Sequence, residues 1–474
     1  MSTATSDLND GPVAHQLWRV SAPMSFGIFS VLAIGLADAY FLARLGGSAL
    51  AAVGFVYPVI VAVSAFSVGL SAGANTALSQ ARGGESSEDA VARLALHATG
   101  LGLAVALAIS LVFWLIAPWL FGLLGAEGDV LDNVMAYLPY WIASFPLLVV
   151  TMILNAAFRA AGDGVTAAVM MVLTAVLNIA LTPTLIFGYG PAPEMEMAGA
   201  GFATLLARAA ALVLVVAIAL RRGIVALGGN PFKGLAASAR EIIGTALPSA
   251  FSRAINPAGM AIVTAAVAVI GDTAVAGFGA ASRVQSIALV PFFALAAGLG
   301  PVVGQAWGAG DEARAREAMR VATWFALIYG AVLAAILVLA ADPIARFMTA
   351  ADEPAAFTAQ YLRFVGWSLC GYGLAVAANA ALTGRSRAGW AMGLSLTRIG
   401  LVYVPFAWLG VMTFGYGGIL AAAAATNIVA FWGALVTTRA NGIGPSDTGV
   451  VRLPAKRLAT LLSQTSSPRG QASS

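Results

Sequence analysis

The sequence predicts an all-α polytopic membrane protein, with twelve transmembrane helices arranged as two parallel, pseudo-symmetric six-helix lobes. Three observations predict it. The chain has 474 residues, of which 60% are hydrophobic and only 10% charged, whereas a soluble domain carries roughly 25% charged residues. Its apolar residues fall into runs of about 20, the length that crosses a bilayer as a helix. The second half of the chain also repeats the first.

The apolar runs give spans at 17–44, 50–79, 94–117, 134–158, 165–187, 199–220, 242–269, 274–303, 321–340, 358–383, 390–410 and 417–438. They divide the chain into an N-terminal tail (1–16), an N-lobe of spans 1–6 (17–220), a linker (221–241), a C-lobe of spans 7–12 (242–438) and a C-terminal tail (439–474). The opening stretch MSTATSDLNDGPVAHQ is polar and acidic, with no basic flank before an apolar core. Span 1 is therefore expected to insert and stay in place rather than be cleaved.

Arginine placement gives the orientation. With the N-terminus inside, the even-numbered breaks hold Arg82 and Arg93, Arg159, Arg221 to Arg240, Arg314 to Arg320, and Arg385 with Arg387. The odd-numbered breaks hold little beyond Arg346 and Arg44. Such asymmetry predicts that both termini are cytoplasmic in a multi-pass protein of the inner (plasma) membrane. Trp114, Trp119, Trp408 and Trp432 fall near span ends, as interface anchors do.

The repeat keeps one register through six spans. A shift of 224–225 residues places Pro23 on Pro248, LGGSALAAVG (45–54) on IGDTAVAGFG (270–279), and Gly73, Gln80 and Gly83 on Gly298, Gln305 and Gly308. Further on, Pro118 meets Pro343, Tyr137 meets Tyr361 and Asn155 meets Asn379. An offset of six spans preserves topology, so the halves are parallel repeats. Transporters place their binding site between or within such halves and work by rocking them.

Composition excludes other classes. One cysteine (Cys370) and two histidines (His15 and His97) cannot form an intramolecular disulfide or a transition-metal cluster. No nucleophile–base or phosphate-cradle motif supports an enzyme, and no cofactor is implied. The formal charge of +4 comes from arginines at span ends rather than a basic stripe, so no nucleic acid is expected. The expected partners are the lipid bilayer and small-molecule substrates, with the protein acting as a monomer.

Asp38 is the candidate functional residue. From Val20 to Ala43 it is the one charged side chain, and a charge inside the membrane is costly enough to mark a functional site. Its repeat equivalent is Val263, so the carboxylate belongs to the N-lobe alone. On span 5, Met171, Thr174, Asn178 and Thr182 share one helical face, and Pro183 leaves the carbonyl of Ile179 without its helical donor. Span 6 adds Thr204. Counted from the outer ends, Asp38, Asn178, Thr182 and Thr204 lie roughly 7–15 Å deep, close enough to converge.

One carboxylate, two hydroxyls, an amide oxygen and a freed carbonyl make an oxygen-rich site for a small hard cation. A sodium ion would sit at Asp38, Asn178 and Thr204. The same group equally makes a proton site, because low dielectric disfavours the charged carboxylate. Asn and Thr in membrane helices also hydrogen-bond simply to join helices. Arg208, one turn after Thr204, would weaken a cation site if it salt-bridged Asp38.

The chain resembles the multidrug and toxic compound extrusion (MATE) transporters over its whole helical span. The resemblance rests on LADAYFLARLGGSALAAVG (36–54), GLSAGANTALSQARGG (69–84), FRAAGDG (158–164), VLNIALTPTLIFGYG (176–190) and AASRVQSIALVPFFALAAGLGPVVGQAWGAGD (280–311). It implies a secondary active antiporter that exports amphipathic organic cations by alternating access, in exchange for protons or sodium ions. In the prokaryotic DinF-like branch, the span-1 acid, span-5 asparagine and span-6 threonine match Asp38, Asn178 and Thr204. Where the branch has a second acid this chain has Thr182, which favours single-proton coupling. Acids that another branch carries in spans 7 and 10 are missing.

Met171, Thr174, Tyr40 and Arg208 are the expected substrate contacts, and Pro23 and Pro183 the expected conformational elements. The alternative, from the wider superfamily, is a flippase or exporter of a lipid-linked substrate. It would require Arg208, Arg253, Arg283 and Arg398 to face the central cavity.

Overall fold

The computed structural model describes residues 8–445 except 85, 191, 227–229, 231 and 350. The N-lobe holds α1 (Val13–Ala43), α2 (Gly47–Gly83), α3 (Glu88–Leu123), α4 (Gly128–Ala160), α5 (Gly164–Phe187) and α6 (Glu196–Arg221). The C-lobe opens with α7 (Leu235–Ala268), α8 (Asp272–Ala288), α9 (Val290–Gly308), α10 (Glu312–Leu339) and α11 (Ala341–Met348). It continues with α12 (Asp352–Gly366), α13 (Leu369–Gly384), α14 (Ala388–Leu396), a π-helical segment (Thr397–Tyr403), α15 (Val404–Phe414) and α16 (Tyr416–Ala440).

Among the described residues, ten helices are long and apolar enough to cross a membrane, or eleven if α12 and α13, bent by 62°, form one span. The twelfth crossing is α7. Its 34 residues suffice in length, but Ser249, Ser252, Arg253 and Asn256 make its middle too polar to count as an apolar span.

The boundaries and continuity differ from the sequence reading. The helices run past the apolar runs at most ends, because backbone hydrogen bonding continues where hydrocarbon stops. α7 starts at Leu235 rather than 242, which shortens the expected linker, and α1 starts at Val13 inside the expected tail. Span 8 is two helices, α8 and α9, because Pro291 at the start of α9 cannot donate to the preceding turn. Span 10 bends between α12 and α13. Most of the expected C-terminal tail lies outside the described residues.

Each lobe has its own apolar core, and the cores trade residues at one face of the bundle. Leu17 and Val20 of α1 enter the C-lobe core, while Ile242 and Ala246 of α7 join an N-lobe cluster. That face carries the first and last of the described residues. The same end holds the cross-lobe hydrogen bonds, in near-symmetric pairs. Gln80 Nε2 donates to the Gly384 carbonyl (2.7 Å) and Gln305 Nε2 to the Ala160 carbonyl (2.7 Å). Thr76 Oγ1 donates to the Thr383 carbonyl at 3.0 Å.

Glycines make this closure possible. A Cβ on Gly83 would overlap the Gln305 backbone, and one on Gly308 the Gln80 backbone. At the other face the outer parts of α1, α2 and α7 leave many side chains exposed, among them Leu36, Leu50 and Ile262. The lobes meet tightly at the terminus-bearing face.

Candidate functional site

Four N-lobe helices bring the polar residues together. Gly27 of α1 lies against Met171 of α5, where an added Cβ would stand 3.1 Å from its sulfur. Gly201 of α6 leaves 2.7 Å between its missing Cβ and the Tyr137 carbonyl of α4. These small residues let the helices approach closely. Asp163 fixes the start of α5, its carboxylate accepting from the Thr166 N–H at 2.9 Å, and Gly188 ends the helix with a left-handed φ of 67°.

Within that frame Thr182 Oγ1 donates to Asp38 Oδ1 at 3.4 Å. Asn178 Nδ2 donates to Thr204 Oγ1 at 3.2 Å, and Thr204 passes its own proton to the Ala200 carbonyl at 3.1 Å. Asn178, Thr182 and Thr204 are buried, whereas Asp38 is partly accessible. Asn178 Oδ1 is buried without a hydrogen-bond partner. An unused acceptor one helical turn from Thr182, which bonds the carboxylate, can receive a cation.

Arg208 forms no ion pair with Asp38 among the described residues. It donates to Ser144 Oγ at 2.7 Å and sits 5.9 Å from the Trp141 ring centre. It contributes a field to Asp38 without neutralising it. The sequence reading missed Tyr137, whose side chain reaches Thr204 and lies within electrostatic range of both Asp38 and Arg208. Its signal in the sequence is its place in the repeat, opposite Tyr361.

Other expected site residues stand apart. Tyr40 is 54% exposed and pairs with Arg44 through hydroxyl and ring. Two residues beyond Asp38 is about 200° around a helix, so the two side chains diverge. The Thr174 hydroxyl returns to the Met170 carbonyl of its own helix at 2.7 Å, and Met171 packs in the α1–α5 seam. Pro23 and Pro183 both lie inside helices that continue past them.

A second polar cluster occupies the C-lobe. Arg398, in the π-helical segment, donates to Asn256 Oδ1 and lies 4.4 Å from the Tyr372 ring centre. Asn256 Nδ2 donates to the Tyr372 hydroxyl at 2.8 Å. Arg398 is 8% exposed. Arg283 is exposed on α8 and joins neither cluster.

Two duplicated bundles, closed at one face and with a polar site within a lobe, define a membrane transporter rather than an enzyme. The MatE family profile matches residues 23–184 and again 248–409, which reproduces the 225-residue repeat. The chain belongs to the MATE family of transporters.

A FAD transporter from Shewanella oneidensis is 32% identical over 425 residues, 89% of this chain and 93% of that protein. The multidrug export protein MepA from Staphylococcus aureus is 28% identical over 38% of this chain and 40% of its own length. The crystal structure of the Vibrio cholerae MATE transporter VcmN in the bent form superposes with a TM-score of 0.85. It has 27% identity and covers 93% of this chain and 98% of that one.

Proposed function

We propose that this protein is an ion-coupled exporter that loads a proton or a sodium ion at Asp38, with Asn178, Thr182 and Thr204 as its partners, and releases a small organic cargo at the far face. One observation carries the reading. A carboxylate confined to one lobe shares a hydrogen bond with Thr182, one helical turn from Asn178, whose Oδ1 has no partner. Loading a cation there removes a charge from low dielectric, so the ion binds the two arrangements of the lobes with different affinity. Such a difference is what drives alternation. With one acid in the cluster, a proton balances the charge fully.

Pro23, fifteen residues before Asp38, is the bend point through which α1 would respond. The arginine asymmetry favours the terminus-bearing face as cytoplasmic and the inner membrane as location. The monomer is the working unit, because each chain supplies both lobes. Similarity to MepA, a multidrug export protein, supports drugs as cargo, and amphipathic organic cations are the proposed class. A phosphate-bearing anion, soluble or lipid-linked, is the second reading. The uncompensated C-lobe arginines and the name of the Shewanella oneidensis relative favour it.

Vesicles holding the wild type or Asp38→Asn test the core reading. Efflux of a fluorescent lipophilic cation and of FAD is followed under a proton or a sodium gradient. Gradient-driven efflux of either cargo that Asp38→Asn slows by about tenfold or more supports it, a loss equivalent to about 1.4 kcal/mol of driving interaction. Equal efflux by both proteins removes Asp38 from the mechanism.

A further inference from the structure

We propose that Arg253 and Arg398, framed by Asn256 and Tyr372, form a binding subsite in the C-lobe for a phosphate or pyrophosphate ester on the cargo. Its role in transport rests on the export reading above.

Charge placement is the first argument. Between α7 and α16 every acid lies within about two turns of a helix start. Arg253 and Arg398 stand in mid-helix, where an unpaired cation is costly. Neither forms an ion pair among the described residues. Two unneutralised cations near one another are explained by an anion that visits them.

Orientation is the second. Ile242, Ala246 and Ala250 form the stripe of α7 that packs against Gly69 and Gly73 of α2. Arg253, seven residues after Ala246, falls on nearly the same side of α7, turned toward the Asn256 side that meets α13. It is exposed there, between the edge that meets the N-lobe and the edge that meets its own lobe. Tyr372 lies within electrostatic range of both arginines. The guanidinium of Arg253 therefore faces the space between the lobes.

Chemistry is the third. Arg253 makes no hydrogen bond among the described residues, so its five N–H donors are available. Arg398 is held by Asn256 and the Tyr372 ring, with Phe293 edge-on to that ring at 6.4 Å. One free and one pre-positioned guanidinium match the paired oxygens of a phosphate ester. The π-helical segment from Thr397 to Tyr403 inserts a local irregularity where Arg398 enters, a feature that concentrates at functional sites.

Full-length protein in detergent, titrated with FAD and followed by flavin fluorescence, tests the proposal. Inorganic pyrophosphate and phosphatidylglycerol serve as competitors. Wild type is expected to bind FAD, and Arg253→Gln to raise its Kd by about tenfold or more. Arg398→Lys should retain more affinity than Arg398→Gln.

Displacement by pyrophosphate identifies a soluble phosphate ester. Displacement by phosphatidylglycerol alone identifies a lipid headgroup and keeps the same subsite. Arg253 is the decisive position, because its replacement breaks no bond that holds the fold. Unchanged affinity in a folded Arg253→Gln protein overturns the proposal, as does wild type that binds none of the three probes. Asp38-dependent export that neither arginine substitution alters sinks the subsite and leaves the coupling reading standing. FAD binding that needs Arg253, in a protein whose export ignores Asp38, does the reverse.

Discussion

Removing Gln305 should open the face at which the lobes are now joined. Its side chain uses both ends of the amide, with Nε2 donating to the Ala160 carbonyl at 2.7 Å and Oε1 accepting from the Leu8 N–H at 2.9 Å. A net hydrogen bond contributes about 0.5–1.5 kcal/mol, so Gln305→Ala removes about 1–3 kcal/mol from the closed arrangement. That corresponds to roughly a 5- to 150-fold shift toward the arrangement open at this face.

Ser79 reports the shift. It is fully buried at the seam, next to Gly304. In a Cys370→Ser background, Ser79→Cys should react slowly with a thiol reagent applied to the terminus-bearing face. Adding Gln305→Ala should speed the reaction by a comparable factor, and Gln80→Ala should act in the same direction. A labelling rate that stays put in both folded variants would refute the view that these glutamines latch the lobes.

Other substitutions separate neighbouring claims. Gly83→Ala places a methyl against the Gln305 backbone, and export should fall at least about fivefold, with faster Ser79→Cys labelling, because overpacking costs about 1–3 kcal/mol. Tyr137→Phe removes a hydroxyl near Thr204. The ion concentration for half-maximal efflux should rise about 2- to 10-fold, as expected for one lost hydrogen bond, while Arg253-dependent FAD binding is unaffected. Asp163→Ala removes the cap of α5 and the ion pair with Arg222. A loss of about 1 kcal/mol should appear as a lower melting midpoint, with the ion selectivity of efflux unchanged.

The apolar runs and the repeat determined the class of fold, because a bilayer requires long apolar helices and duplication leaves a fixed register in Pro, Gly, Gln and Tyr. Asp38 was legible for a similar reason: a charge in hydrocarbon stands out in one dimension. So were its helical companions Asn178 and Thr182, which stand four residues apart and must share a face. Helix ends were less legible, since hydropathy reports the membrane and says nothing of the hydrogen-bonded turns beyond it.

What needed tertiary structure was every pairing across helices. Arg208 turns to Ser144 rather than Asp38 because α4 packs closely on α6 through Gly201. Tyr40 leaves the cluster because helical rotation carries it away. Gln80 and Gln305 carry no charge that flags a site, and their role exists only where α2 and α9 meet. Arg253 reads in sequence as one more arginine on a helix. Only the packing of α7 against α2 turns it toward the space between the lobes, where it forms no ion pair among the described residues.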